Sequence, residues 1–154
     1  MQHASNRWLG RFAAMGLLAM TLASTRVMAA GAGSTGLGQS WPNASDVSAS
    51  THWHVYLFER DGIRYVQIND LGGKVRAAFA ASSGGFLGLP IGVDASRVAT
   101  PQQPLPAPAN TVGEIVYQDA LVKVLVAPQA DGTTQVFVAD GDCKDPIECS
   151  SRIN

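Results

Sequence analysis

The sequence predicts an all-β protein: a small antiparallel β-sandwich or partly open barrel of six to seven short strands, preceded by a signal peptide. Three observations carry this reading. From Trp53 onward apolar residues recur with the period of two that belongs to strands. Turn dipeptides, Asp61-Gly62 and Asp131-Gly132 among them, separate short runs rich in β-branched and aromatic residues. Near the amino terminus, Arg7 and Arg11 precede one compact apolar run, Phe12 to Ala23, with no acidic residue before it.

That run sets the first boundary. As a helix it would reach about 18 Å, too short for a hydrocarbon core of about 30 Å. Val27-Met28-Ala29 then offers small residues at the two positions a signal peptidase reads, which predicts cleavage after Ala29, with Ala30 as second choice. The two arginines are not adjacent, so no twin-arginine signal is present, and no cysteine lies near the cleavage point to carry a lipid. The product is expected outside the cytoplasm, periplasmic or extracellular, with no stable membrane insertion after cleavage. In a eukaryotic secretory route Asn43-Ala44-Ser45 would be a glycosylation acceptor; in a bacterium it is a polar loop.

Residues 30–51 are rich in Gly, Ala and Ser and read as a flexible leader with an anchor point at Trp41-Pro42. A single β domain is expected over 52–154. It opens with two strands around Asp61-Gly62, because a type I′ turn needs positive φ at both central residues. The turn fixes the register: Glu59 faces Arg64, Phe58 faces Tyr65, Leu57 faces Val66 and Val55 faces Ile68. One face then carries Trp53, Val55, Leu57, Val66 and Ile68, with Glu59 and Arg64 as an opposite-charge pair at the rim. A slip of one residue would scatter both sets.

Asn69 to Gly73 reads as the next turn, and Lys74 to Ala81 as a third strand with Val75, Ala77, Phe79 and Ala81 on one side. After a break at Ser82 to Gly85, Phe86 to Ile91 is a short strand that Pro90 confines to an edge. The proline-dense stretch 100–109 is an extended crossover between two halves of one fold. Val112 to Tyr117, Leu121 to Val126 and Thr133 to Ala139 supply the remaining strands, and no segment of the domain reads as a helix.

Loss of residues 1–29 would leave 125 residues, eight of them basic and twelve acidic, for a net charge of −4. A mildly acidic product without a basic patch argues against nucleic acid as a partner. Its two cysteines, Cys143 and Cys149, are expected to form a disulfide that ties down the C-terminal tail.

The search for chemistry returns little. His52 and His54 would project from one side of a strand, but a metal site needs a third ligand, and no other histidine remains after cleavage. Asp140, Asp142 and Asp145 gather oxygen ligands without the closing glutamate of a calcium loop. The nucleophile-elbow pattern is absent, so no catalytic residue, metal or cofactor is assigned. The second face of the first hairpin, with His54, Tyr56, Phe58, Tyr65 and Gln67, is aromatic yet amphipathic. It is either a partner-binding patch or core covered by a second sheet. The expected function is non-enzymatic binding, as partner or inhibitor of another envelope protein. The alternatives are a carbohydrate-binding module or small hydrolase of the envelope, and a structural component of an envelope complex.

Overall fold

A computed structural model describes residues 33–152; the signal peptide expected over 1–29 lies outside them. In chain order the elements are β1 (Trp53–Arg60), β2 (Ile63–Asp70), β3 (Val75–Ser82), β4 (Gly85–Gly88), a 3-10 turn (Ala95–Arg97), β5 (Val98–Ala99), β6 (Leu105–Pro106), β7 (Glu114–Gln118), β8 (Val122–Pro128), β9 (Thr134–Asp140), α1 (Pro146–Ser150) and β10 (Ser151–Arg152). They form two open four-stranded sheets, β1-β2-β3-β4 and β5-β9-β8-β7, and a two-stranded pair β10-β6.

The first hairpin has the register that its turn dictates. Val55 stands opposite Ile68, Leu57 opposite Val66 and Glu59 opposite Arg64. Asp61 and Gly62 take φ of 54° and 76°, the left-handed pair that a type I′ turn requires. The charge pair at the rim differs from expectation. Arg64 turns away from Glu59 and bonds Asp119 across the gap between the sheets. A carboxylate already fixed by backbone donors holds a guanidinium better than a mobile exposed glutamate does.

The second sheet departs from a purely antiparallel plan. β8 pairs antiparallel with β7 and β9, but β5 joins β9 in parallel, as β10 joins β6. Both parallel pairs are two residues long, with β5 and β6 in the connection between β4 and β7 and β10 following α1. The helix α1 also was not expected. Asp145 caps it by accepting from Ile147 N at 2.9 Å, with Pro146 in the first turn. Its single turn lies within the ring closed by Cys143 and Cys149, which stand at disulfide distance, S–S 2.09 Å.

One apolar cluster draws on both sheets: Trp53, Val55, Val66, Ile68, Ala77, Phe79 and Phe86 from the first, Val98, Val116, Val122, Val124, Val126, Val136 and Val138 from the second. The alternation read along β1, β2 and β3 therefore points inward at this cluster, and Val122, Val124 and Val126 of β8 meet it from the second sheet. A smaller one, Phe137 with Ala99 and Ala127, lies on the other face of the second sheet under Leu105 and Ile147. Among the connections, Arg76 of β3 is fixed by Asp94 at 2.7 Å and by the Gly132 carbonyl at 2.7 Å, a buried clamp between both sheets' loops.

Candidate functional site

The outer face of the first sheet holds the aromatic residues singled out from the sequence. Tyr56, Phe58 and Gln67 are buried, Tyr65 is half-buried, and His54 keeps a quarter of its side chain exposed. The second sheet does not cover this face, because its apolar contacts run to the opposite one. The cover at one end is the segment expected as a leader. Gly38 N donates to Gln67 Oε1 at 2.6 Å, Gln67 Nε2 donates to the Gln39 carbonyl at 2.8 Å, and Asn69 Nδ2 donates to the Ser40 carbonyl at 2.8 Å. Two amides in strand positions thus supply donors and acceptors to a segment that has few backbone partners of its own, as buried polar groups require. The five side chains do not form one open surface in this arrangement.

The same segment continues along the edge of β1. Asp46 bridges Tyr56, and Val47 N donates to the Val55 carbonyl at 2.9 Å. The Asp46 carboxylate accepts from Val55 N at 3.0 Å and Ser48 N at 2.9 Å, and lies 2.7 Å from His54 Nδ1. Burial pushes this carboxyl up, but His54 and the two backbone donors outweigh it and hold it below its ordinary value. Burial, followed by the Asp46 charge, raises the Tyr56 hydroxyl. His54 in turn stacks on Tyr56, centroids 6.2 Å apart, and meets the edge of Trp41 at 5.5 Å.

Trp41 is the exposed end of this aromatic run. Its ring lies over Gly73, where a Cβ would come within 2.6 Å of it, yet the residue is 60% exposed. Leu71, 55% exposed, sits in the same β2–β3 turn, and Val93, 64% exposed, is bonded through its amide to Val75 at the turn's far side. Trp41 and Leu71 are therefore two largely exposed apolar side chains at one turn, and Val93 is a third on the segment that bonds the start of β3.

At the seam between the sheets, Ala49 N donates to the carbonyl of Val116, the residue left out of pairing by the bulge in β7. Glu114 accepts from Ser50 Oγ at 2.8 Å and Trp53 Nε1 at 2.9 Å, with His52 Nδ1 at 3.2 Å. Burial raises this carboxyl, and the Ser50, His52 and Trp53 contacts more than reverse it. Asp119 follows the same pattern: burial raises it, and Leu121 N, Val122 N, Tyr117 and Arg64 bring it below the ordinary value. Burial and the bond to Asp119 raise the Tyr117 hydroxyl.

His52 and His54 thus address two different carboxylates, and no group of three metal-ligating side chains occurs among the described residues. Asp140 accepts through its carbonyl from Cys143 N at 3.0 Å, and Asp145 is spent on the helix cap. Sequence reasoning missed Asp46, Glu114 and Asp119, and saw Trp41 only as an anchor. The one available signal was local: Asp46 two residues before Ser48, and Asp119 two and three before Leu121 and Val122, are spacings at which aspartate bonds its own backbone. No protein-family model, curated protein or solved structure matches the chain.

Proposed function

We propose that this protein is exported, that residues 1–29 are its signal peptide, and that its product is a β-sandwich that binds another protein of the cell envelope as partner or inhibitor, without chemistry of its own. The observation that carries the binding reading is Trp41, seated on Gly73 and still 60% exposed, with the exposed Leu71 in the same turn. An aromatic ring already fixed in place loses little entropy when it docks, and such rings dominate binding energies. The Cys143–Cys149 pair supports an oxidising compartment. Among the described residues no helix is long and apolar enough to cross a membrane. A sugar platform would call for an exposed coplanar row, whereas Tyr56 and Phe58 are buried and the Trp41 and His54 planes lie 67° apart.

The experiment is capture from envelope extract by the product beginning at Ala30, followed by titration with the purified partner. Trp41→Ala is expected to weaken binding by about 30-fold, the effect of losing about 2 kcal/mol at a central aromatic. An unchanged dissociation constant for a folded Trp41→Ala protein sinks the reading. Amino-terminal sequencing of the fractionated protein tests export separately, with Ala30 expected as the first residue.

A further inference from the structure

The far end of the first sheet holds a different feature. Where the β1–β2 and β3–β4 turns meet the start of β8 and the end of β9, the two sheets part to leave a cleft of about 360 Å³. Its apolar lining comes from Ala81, Phe86 and Leu121, and its charged lining from Glu59, Arg64 and Asp140. We propose that this mouth receives an arginine side chain from a protein partner.

Charge complementarity selects the occupant. The cation of the cleft is already engaged, because Arg64 bonds Asp119. Asp119 is in turn held by the Tyr117 hydroxyl at 2.9 Å and by Leu121 N and Val122 N at 2.8 and 2.9 Å, so the guanidinium is tied down at a fixed acceptor. That choice leaves Glu59 facing Arg64 in the strand register without an ion pair to it. Among the described residues neither Glu59 nor Asp140 has a side-chain hydrogen bond or ion pair, and both are exposed. Two unpaired carboxylates and one neutralised cation make the mouth a seat for positive charge.

The apolar part selects the kind of cation. Leu121 is 65% exposed over a lining that includes the buried Phe86 ring. An aliphatic stem with a charged tip matches such a site, since the stem covers apolar surface while the head stays at the rim. The guanidinium is preferred to an ammonium because it is less strongly hydrated and its planar fork of donors matches a carboxylate in a bidentate pair. A volume of about 360 Å³ is near the lower end of ligand clefts, about 300–1,000 Å³, and suits one inserted side chain. The inference rests on the reading of the protein as a binding module, but uses the end of the sheet opposite Trp41, so each can fail without the other.

The test is an amide-resolved NMR titration of the protein beginning at Ala30 with a blocked Gly-Arg-Gly peptide. The control peptide carries citrulline, which has nearly the same shape without the charge. Saturable shifts at Ala81, Phe86 and Leu121 are expected with arginine and not with citrulline. The double variant Glu59→Gln/Asp140→Asn is expected to weaken binding by at least about tenfold. Its amide spectrum reports its fold in the same experiment, and each single substitution gives a smaller loss. Trp41→Ala is expected to leave this titration unchanged. Equal binding of the citrulline peptide, or no shifts at the mouth up to about 10 mM peptide, a concentration that would reveal even a millimolar complex, overturns the proposal.

Discussion

Trp53 Nε1 donates a 2.9 Å hydrogen bond to Glu114 Oε1, joining the first residue of β1 to the first residue of β7. The bond is a link between sheets at a point where β1 and β7 are both edges of their own sheets. Ser50 and His52 close on the same carboxylate from the segment that lies between those edges. An edge strand that keeps its outward groups occupied is protected from pairing with another chain.

Glu114→Ala is therefore expected to destabilise the fold by about 1–3 kcal/mol, the range for leaving the donor of the buried Trp53 without its acceptor. In a Trp53→Phe background, where the donor is already gone, the same substitution is expected to cost less. Urea unfolding of the four proteins of this cycle measures the difference. Strict additivity would show that the two residues do not act together.

Acid is expected to loosen the same seam. Asp46, Glu114 and Asp119 all lie below their ordinary values in the folded protein, so in that range the unfolded chain binds more protons. Their contribution is fully present above the ordinary values of 4.5 for glutamate and 3.8 for aspartate, and is lost as pH falls through the lower folded values. The stability gap between the wild type and Asp119→Asn is thus expected to be widest at neutral pH and to shrink below 3.8. Urea midpoints for both proteins across that range provide the measurement. A gap that stays constant into acid would mean the Asp119 charge adds nothing to stability.

How much of this was legible in the sequence depends on how local the cause is. The first hairpin follows from two turn residues and a period of two, and Trp53 to Asp70 could be aligned residue by residue. The first sheet's share of the core followed from the same alternation, whereas the faces of the second sheet were not assigned. The cover on the outer face could not be read, because Gly38, Gln39 and Ser40 have no periodicity. They are held in place by amides 28 and 29 residues further on. Composition reads that stretch as a flexible leader, and it says nothing of a partner supplied by the neighbouring sheet. The same holds for Asp119, whose tie to Arg64 spans 55 residues. The helix α1 was missed although Asp145-Pro146 is an N-cap followed by proline, because one turn leaves no room for helical periodicity.

Gln67 provides a direct test of that cover. It is fully buried on a strand, donating to one residue of the segment and accepting from another. Gln67→Leu keeps the apolar bulk and removes both bonds to the segment, together with the one Gln67 Nε2 donates to Asn69 Oδ1 at 2.9 Å, leaving Gly38 N without an acceptor. Amide exchange is expected to quicken selectively at Gly38 and its neighbours, by a factor of about 10 if the two bonds are together worth about 1.4 kcal/mol, while the core strands stay protected. Uniform acceleration across the domain would instead place Gln67 in the global fold.

Gly73 tests whether the seat of Trp41 is built by its backbone. The residue has φ of 82°, a left-handed conformation that alanine adopts at a cost of about 1–3 kcal/mol. A Cβ there would also stand 2.6 Å from the indole, which cannot yield by a small adjustment because three of its atoms lie within 3.0 Å of that position. Gly73→Ala is expected to lift the ring and with it the contacts that Trp41 makes to His54, while Asn69 keeps its bond to the Ser40 carbonyl. Limited proteolysis then gains a site near 41–45, and partner binding falls as far as it does in Trp41→Ala. Gly62→Ala serves as the control, because its φ of 76° carries similar backbone strain with nothing within 4 Å of the added carbon. If both glycine variants lose stability equally and neither opens the 41–45 region, the strain alone is responsible and the indole has no built seat.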